Sequence, residues 1–235
     1  MELCYKRRIS RLFFKKSVNF GVIMSKNSGF FITFEGPEGA GKSSQVAILA
    51  EYLAQRGKEC VLTREPGGTI LAEEIRQVVK SHNSGEKMHD ATELLLMEAA
   101  RAQHVREKIL PALAGGKVVI CDRFSDSTTA YQGGARDLSR EVIDYLNDFA
   151  SAGRKPDVTI LLDLPPETGF QRIASRESEG FDRFENEKLD FHRRVREAFL
   201  QIAAAEPARF CTVDATLSKE IIAEKIRKVI DDALF

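Results

Sequence analysis

Residues 36–43 place three glycines, a lysine and a serine in the spacing GxxxxGK[ST], within the stretch FEGPEGAGKSS at residues 34–44. Glycines let several backbone N–H groups turn toward one anion, and the start of a following helix adds partial positive charge. Lys42 would reach the β- and γ-phosphates of a nucleotide, and the Ser43 hydroxyl would ligate Mg²⁺. The spacing therefore predicts a phosphate-binding loop rather than a glycine-rich turn without a ligand. Its residues are Gly36, Pro37, Glu38, Gly39, Ala40, Gly41, Lys42, Ser43 and Ser44.

Two further stretches carry charge suited to phosphate chemistry. Asp122 ends the apolar stretch KVVICD, where its carboxylate could hold Mg²⁺ through water, and Arg123 beside it would project over the same mouth. The stretch TREPGGT, residues 63–69, brings Arg64 and backbone N–H groups to a second anion. The simpler alternatives are a salt bridge at the end of a strand for Asp122 and a tight turn with a surface arginine for Arg64.

A phosphate loop alone does not fix the reaction, because switches, motors and kinases all carry one. The chain has no NKxD-type guanine-binding motif, which disfavours a GTPase, and no second large domain of the kind that motors bring. These features favour a small kinase.

Short apolar runs alternate with longer segments of helical period, which predicts βα units around a parallel sheet. The predicted strands are residues 30–35, 60–65, 117–122, 158–164 and 209–214. The predicted helices are residues 43–56, 71–80, 91–110 (ended by Pro111), 139–150, 188–205 and 218–234. The expected fold class is α/β, with five parallel strands flanked by helices.

Composition limits the partners of the chain. Its 235 residues are 43% apolar and 30% charged, carry no net charge and contain no apolar run of membrane-spanning length, so neither nucleic acid nor a membrane is an expected partner. Four cysteines without metal spacing favour buried thiols in a reducing cytoplasm.

Residues 1–29 differ from the rest, with seven Lys or Arg and one acidic residue. We predict a disordered basic extension over residues 1–28, translated from a start upstream of Met24, followed by one kinase domain over residues 29–235. An amphipathic helix on an anionic membrane surface and a transit peptide are the alternatives.

The motifs FEGPEGAGKSS, TREPGGT, ARAQH and DRFSDSTTAYQGG occur in this order. In this respect the chain, from about Phe30 to its C-terminus, resembles the bacterial thymidylate kinases of the nucleoside monophosphate kinase group. The resemblance implies a three-layer P-loop kinase fold. It also implies Mg²⁺-dependent transfer of the γ-phosphoryl group of ATP to dTMP, giving dTDP and ADP for dTTP synthesis. It further implies a homodimer that pairs through helices flanking the sheet, near residues 94–105.

The resemblance also implies roles for individual residues. Arg64 and Arg123 would hold the dTMP phosphate, and Glu38 would accept a hydrogen bond from the 3′-hydroxyl. Arg101 would contact a thymine carbonyl, with Ser127 and Gln132 near the base. Tyr131 would stack under the deoxyribose and exclude a 2′-hydroxyl. Met97 stands where the family usually has phenylalanine against thymine, and Glu98 and Ala100 also depart from the usual pattern. A kinase for dUMP or dGMP and a non-catalytic nucleotide-binding regulator therefore stay open.

The phosphate loop lacks the extra arginine that one branch of the family places there, so a lid would supply it. The charged stretch over residues 175–187 is expected to be a mobile lid between two helices, with a solvated charged loop as the alternative. The candidate arginines in this stretch or just before it are Arg172, Arg176 and Arg183. The predicted catalytic residues are Lys42, Asp122, Arg123 and Arg176, with Arg176 acting on the transferring phosphoryl group, and Arg172 is also assigned to ATP binding. None of the four histidines is expected to be catalytic.

Overall fold

The apolar segments predicted as strands form one parallel sheet in the computed structural model, which describes residues 29–80, 86–174 and 183–235. The order across the sheet is β2–β3–β1–β4–β5. The three central strands are almost wholly buried, as expected when helices cover both faces of a parallel sheet. The strand bounds are β1 Phe30–Glu35, β2 Cys60–Arg64, β3 Val118–Asp122, β4 Val158–Asp163 and β5 Phe210–Asp214.

Helices connect and cover these strands. The α-helices are α1 Lys42–Gln55, α2 Ile70–Lys80, α3 Asp90–His104, α4 Leu110–Ala114, α5 Ser125–Thr128, α6 Arg140–Ala150, α7 Pro166–Ala174, α8 Leu189–Ala205 and α9 Lys219–Leu234. Two π-helical segments continue α-helices: Val105–Ile109 joins α3 to α4, and Thr129–Ala135 continues α5. The predicted fold class and the five predicted strands are confirmed, each strand to within one residue at either end.

The helix that begins at Asp90 does not end at Pro111, so that prediction was wrong. A wider π-helical turn over Val105–Ile109 precedes the proline, and the chain then continues as α4. Pro111 lies in the first turn of α4, a position where the missing backbone N–H of proline costs little.

Apolar side chains fill both sides of the sheet. One cluster packs α1 and α9 on one side, including Leu49, Leu53 and Ile226. On the other side, one cluster packs α8 and the second π segment, and another packs the first π segment and α4. This packing brings the carboxyl ends of β1, β2 and β3 to one edge of the sheet, which is where parallel α/β folds bind ligands.

Two smaller findings complete the fold. Within the described ranges, no helix is long and apolar enough to cross a membrane. Cys60, Cys121 and Cys211 lie in strands as predicted, and all three are free thiols. The predicted extension, residues 1–28, lies outside the described residues.

Candidate active site

The loop after β1 closes around its own lysine. Gly36, Gly39 and Gly41 have φ values of 134°, 74° and 87°, a region that glycine adopts without steric cost. Lys42 Nζ donates to the carbonyl oxygens of Gly36 and Pro37 at 3.1 and 2.8 Å. Burial, and then the positive charge of Arg123, lower the pKa of Lys42. The ammonium group is thus held at the centre of the loop, where a phosphate could replace the carbonyl contacts.

The two predicted metal ligands meet at the carboxyl end of β3. The Ser43 hydroxyl donates to Asp122 Oδ2 at 2.8 Å, although 79 residues separate them in sequence. Strand pairing produces this contact. Asp122 lies opposite Phe34 in the register of β1 and β3, and the phosphate loop begins at Gly36, two residues after Phe34. A hydroxyl and a carboxylate oxygen at this separation form a pair of hard oxygen donors.

Arg123 crosses the cleft from the end of β3. Its φ of 71° is unusual for a residue other than glycine, and its backbone N–H donates to the Phe34 carbonyl at 2.9 Å. The guanidinium donates to Gly36 O at 3.1 Å, to Ser127 Oγ at 3.2 Å and to Glu38 Oε1 at 2.6 Å. This backbone conformation and these contacts fix Arg123 above the phosphate loop before any ligand binds.

Glu38 and Tyr131 complete the ring of groups around Arg123. Burial opposes ionisation of Glu38, but the charges of Arg123 and Lys42 outweigh it and lower the pKa of Glu38 to about 2. The Arg123 guanidinium lies 5.1 Å from the centre of the Tyr131 ring. Tyr131 itself packs edge-to-face against three aromatic rings, at centroid distances of 6.0, 6.0 and 6.3 Å: Phe184, Phe191 and Phe199. Glu38 is therefore anionic at neutral pH, and the Tyr131 ring is packed against three aromatic neighbours.

Arg101 on α3 is held at the base of the cleft, with a side chain only 3% exposed. Its Nε donates to Glu65 at 2.7 Å, and its Nη1 donates to Glu98 and, at 2.9 Å, to Asn147. Although burial opposes it, attraction to Glu65 and Glu98 raises the pKa of Arg101. Nη2 has no partner among the described residues and remains available to a ligand. Glu98, which departs from the family pattern, thus serves to orient Arg101.

Arg64 and Gln132 also reach the cleft, each bound to an acidic residue. The side chain of Arg64 is 56% exposed and donates to Glu73 at 3.1 Å. Gln132 is buried in the second π segment, and its amide nitrogen donates to Glu93 at 2.6 Å. Both predicted residues therefore line the cleft, and each is hydrogen-bonded to an acidic side chain of the protein.

The described part of the predicted lid, residues 183–187, has three packed side chains, whereas Asn186 is exposed. Arg183 pairs with the buried Glu93 at 2.5 Å, and Glu187 pairs with Arg136 at 2.6 Å. Phe184 is only 6% exposed. A solvated charged loop does not describe Arg183, Phe184 and Glu187, and the lid itself stays a prediction. Arg176, the arginine predicted to act on the transferring phosphoryl group, lies outside the described residues, as do the other residues of the predicted lid between 175 and 182.

Helix α7 supports the phosphate loop from behind. A Cβ on Gly39 would lie 2.6 Å from the Gly169 carbonyl oxygen, and a Cβ on Gly169 would lie 2.5 Å from the Glu38 carbonyl oxygen. Two backbones therefore touch without a side chain between them. Arg172, on the same helix, donates to the carbonyls of Gly39 at 3.4 Å and Ala215 at 3.0 Å. It joins the loop to the segment after β5.

Most residues that the sequence singled out line one open cleft at this edge of the sheet. They are Glu38, Gly39, Gly41, Lys42, Ser43, Ser44, Arg64, Met97, Arg101, Asp122, Arg123, Ser127, Tyr131 and Gln132. Gly36, Pro37, Ala40, Arg172 and Arg183 do not line it, although Gly36 and Pro37 hold Lys42. Sequence reasoning missed seven lining residues: Glu65, Pro66, Arg76, Lys80, Phe124, Thr128 and Phe184. Glu65, Pro66, Phe124 and Thr128 stand inside or beside the quoted motifs, which is the signal that could have identified them.

Comparison with known proteins places this geometry in a family. The family model for thymidylate kinase matches residues 34–226. A thymidylate kinase of Desulfosudis oleivorans is 53% identical over 190 residues, covering 79% of this chain and 88% of that protein. One from Trichlorobacter lovleyi is 49% identical over 204 residues, covering 85% and 96%. The crystal structure of thymidylate kinase from Ehrlichia chaffeensis superposes with a TM-score of 0.69 at 34% identity, covering 86% of this chain and 99% of that one.

Proposed function

This chain belongs to the thymidylate kinase family, and on that basis we propose how its cleft transfers the γ-phosphoryl group of ATP to dTMP, giving ADP and dTDP. The observation that carries the proposal is the position of Arg123. This arginine contacts the phosphate loop at Gly36 and Glu38 and lines the same cleft as Lys42 and Arg101. Two phosphate-bearing ligands could therefore meet end to end beneath it.

The ATP side is the phosphate loop and its neighbours. Backbone N–H groups of the loop bind the phosphates, and Lys42 exchanges its two carbonyl contacts for β- and γ-phosphate oxygens. The link that Arg172 makes between Gly39 and Ala215 extends this side toward the segment after β5. We assign the adenine of ATP to that segment.

Ser43 and Asp122 fit a magnesium ion. They present a hydroxyl and a carboxylate oxygen 2.8 Å apart at the mouth of the phosphate loop, the oxygen donors that Mg²⁺ prefers. Ser43 and Asp122 would hold this ion, which would supply positive charge to the phosphates during transfer.

The dTMP side lies beyond Arg123. Arg64 and Arg123 hold the acceptor phosphate, and the anionic Glu38 accepts a hydrogen bond from the 3′-hydroxyl. Arg101 Nη2 donates to a thymine carbonyl, with Met97, Ser127 and Gln132 around the nucleotide and Tyr131 under the sugar. Two buried carboxylates orient Arg101, so its free nitrogen points in a fixed direction and favours a base with an acceptor there.

No strong base is needed for the reaction. The second pKa of a phosphate monoester is about 6, so the attacking oxygen is already largely anionic at neutral pH. The protein must instead hold two polyanions in line and neutralise them, which is the role of Lys42 and Arg123. We assign to Arg176 the further positive charge that would neutralise the transferred phosphoryl group.

We also propose a cytoplasmic homodimer. Four large apolar side chains on α3 and α6 are between 50% and 69% exposed: Leu95, Val142, Tyr145 and Phe149. An exposed apolar face of this kind is typical of a protein–protein contact, and Leu95 lies in the segment for which pairing was predicted. A second copy of the chain is the partner we assign to it.

A panel of nucleoside monophosphates tests the proposed function. Purified full-length protein is mixed with ATP, Mg²⁺ and dTMP, dUMP or dGMP, and release of ADP is followed by a coupled assay. We expect turnover to be fastest with dTMP, and Lys42→Met to abolish it, which excludes a contaminating kinase. Faster turnover of another monophosphate would reassign the substrate. Binding of ATP without transfer to any acceptor would favour a non-catalytic regulator.

A further inference from the structure

A buried carboxyl group lies directly behind the proposed dTMP phosphate site. Glu35, the last residue of β1, is 0% exposed. One carboxyl oxygen, Oε1, accepts the Phe124 backbone N–H at 2.7 Å, and the other, Oε2, is 2.5 Å from Ser127 Oγ. The same Ser127 oxygen accepts a hydrogen bond from Arg123 Nη1 at 3.2 Å. Glu35 thus contacts the hydroxyl group that lies between itself and the cleft.

The charges around Glu35 favour a proton on it. The titratable groups that face it are Asp126, Arg123, Lys42, Tyr131 and Cys121. The nearby carboxylates are Glu35, Glu38, Asp122 and Asp126, and the cations paired with or facing them are Lys42, Arg123 and Arg209. Four possible negative charges therefore meet three positive ones, and Glu35 and Asp126 are the two carboxylates buried from water. Burial, and then the charge of Asp126, raise the pKa of Glu35 to about 8, against the lowering effects of Ser127, Arg123 and Phe124.

The proton on Glu35 determines which way the Ser127 hydroxyl points. When Glu35 is ionised, the Ser127 hydroxyl donates to it and offers the cleft only lone pairs. When Glu35 is protonated, Oε1 is occupied by the Phe124 N–H, so the proton lies on Oε2 and is donated to Ser127 Oγ. The Ser127 hydroxyl hydrogen then no longer bonds to Glu35, and it can point into the cleft that Ser127 lines.

We propose that Glu35 is a positioning residue for dTMP, which in its protonated form turns the Ser127 hydroxyl into a donor to the phosphate oxygen held by Arg123. This inference rests on the proposed function, which places the dTMP phosphate at Arg123. A phosphate dianion beside Glu35 favours the protonated carboxyl further, so dTMP binding above pH 8 takes up a proton from solvent. The affinity for dTMP consequently falls as the pH rises through 8, because ionised Glu35 takes the hydroxyl hydrogen back.

Calorimetry measures the proton directly. The heat of dTMP binding to the full chain is recorded at pH 8.5 in buffers of different ionisation enthalpy, and the slope gives the protons taken up. We expect uptake of roughly half a proton or more per dTMP for the native chain. The dissociation constant should rise about five- to tenfold between pH 7 and pH 9, because each pH unit above the pKa costs up to tenfold.

Glu35→Gln is the matched variant. A glutamine can accept the Phe124 N–H and donate to Ser127, which reproduces the hydrogen bonds of the protonated acid without a titrating group. We expect it to bind dTMP at pH 7 within about twofold of the native chain, a difference of less than ~0.5 kcal/mol. We also expect no proton uptake beyond what dTMP itself contributes and a dissociation constant that does not change with pH.

Ser127→Ala keeps Glu35 but removes the hydroxyl, so it separates this mechanism from simple charge repulsion. We expect weaker binding at pH 7 and a clearly smaller fall in affinity toward pH 9 than in the native chain, because only the repulsion between ionised Glu35 and the phosphate is left. A native pH dependence in either variant, or no proton uptake by the native chain, would overturn the proposal. If Glu35→Gln fails to fold by circular dichroism, the Ser127→Ala profile decides alone. Absence of dTMP binding at every pH would overturn the proposed function as well.

Discussion

Glu38→Gln should destabilise the folded chain by an amount that depends on pH. Glutamate has an ordinary pKa of 4.5 and Glu38 a pKa of about 2, because the charges of Arg123 and Lys42 outweigh the effect of burial. At about 1.4 kcal/mol per pKa unit, the ionised carboxylate stabilises the folded state by at most about 3.4 kcal/mol at pH 7. The Glu38 side chain is 29% exposed, so solvent screening reduces the expected loss in Glu38→Gln to roughly 1–2 kcal/mol.

The sign of the pH dependence follows from the lowered pKa. This stabilisation is fully present above the unfolded-state pKa of 4.5 and is lost as the pH falls toward 2. The free energy of unfolding of the native chain and of Glu38→Gln is measured by urea titration between pH 7 and pH 3.5. The difference between the two proteins should shrink by roughly 40% as the pH falls from 7 to 3.5. Glu224→Gln, an exposed change on α9, is the control and should leave stability unchanged within about 0.5 kcal/mol. A difference in the free energy of unfolding that stays constant at every pH would refute the assignment of a charged Glu38–Arg123 pair.

Three further predictions follow from the site and the exposed face. Tyr131→Ala should lower the free energy of unfolding by about 3–5 kcal/mol because three aromatic rings lose their partner, whereas Tyr131→Phe should cost less than about 1 kcal/mol. Equal losses in urea titrations would contradict this. Asp122→Asn should raise the Mg²⁺ concentration for half-maximal activity by roughly tenfold, and an unchanged Mg²⁺ titration would remove Asp122 from the metal site. Phe149→Asp should yield monomers in sedimentation experiments, and the control Phe235→Asp should not. If both variants sediment with the mass of the native protein, the α3–α6 face is not the dimer interface.

Most of the fold could be predicted from local patterns in the sequence. Near-continuous apolar runs of five or six residues between helical periods predicted buried parallel strands, and residues 30–35 match β1 at both ends. The helix through Pro111 could not be predicted in this way. The rule that proline stops a helix assumes regular α-helical hydrogen bonding, and a π-helical turn changes it just before the proline.

The site was predictable where one motif carries its own geometry, as in the phosphate loop. It was not predictable where partners come from distant segments. Glu65 lies 36 residues from Arg101 and Asn147 lies 46 residues from it, and no local pattern states that both bind the same guanidinium. The Glu35–Ser127 contact, across 92 residues, also depends on strand register rather than on a motif.

The contact between Gly39 and Gly169 limits how this protein can change during evolution. Any side chain at position 169 would meet the Glu38 carbonyl oxygen, and any at position 39 would meet the Gly169 backbone. Because backbone rather than a flexible side chain lies in the way, a single substitution at either position cannot be absorbed by a neighbour changing its rotamer. In a saturation mutagenesis library selected for growth, position 169 should therefore tolerate as little as the phosphate loop, although α7 has no recognisable motif.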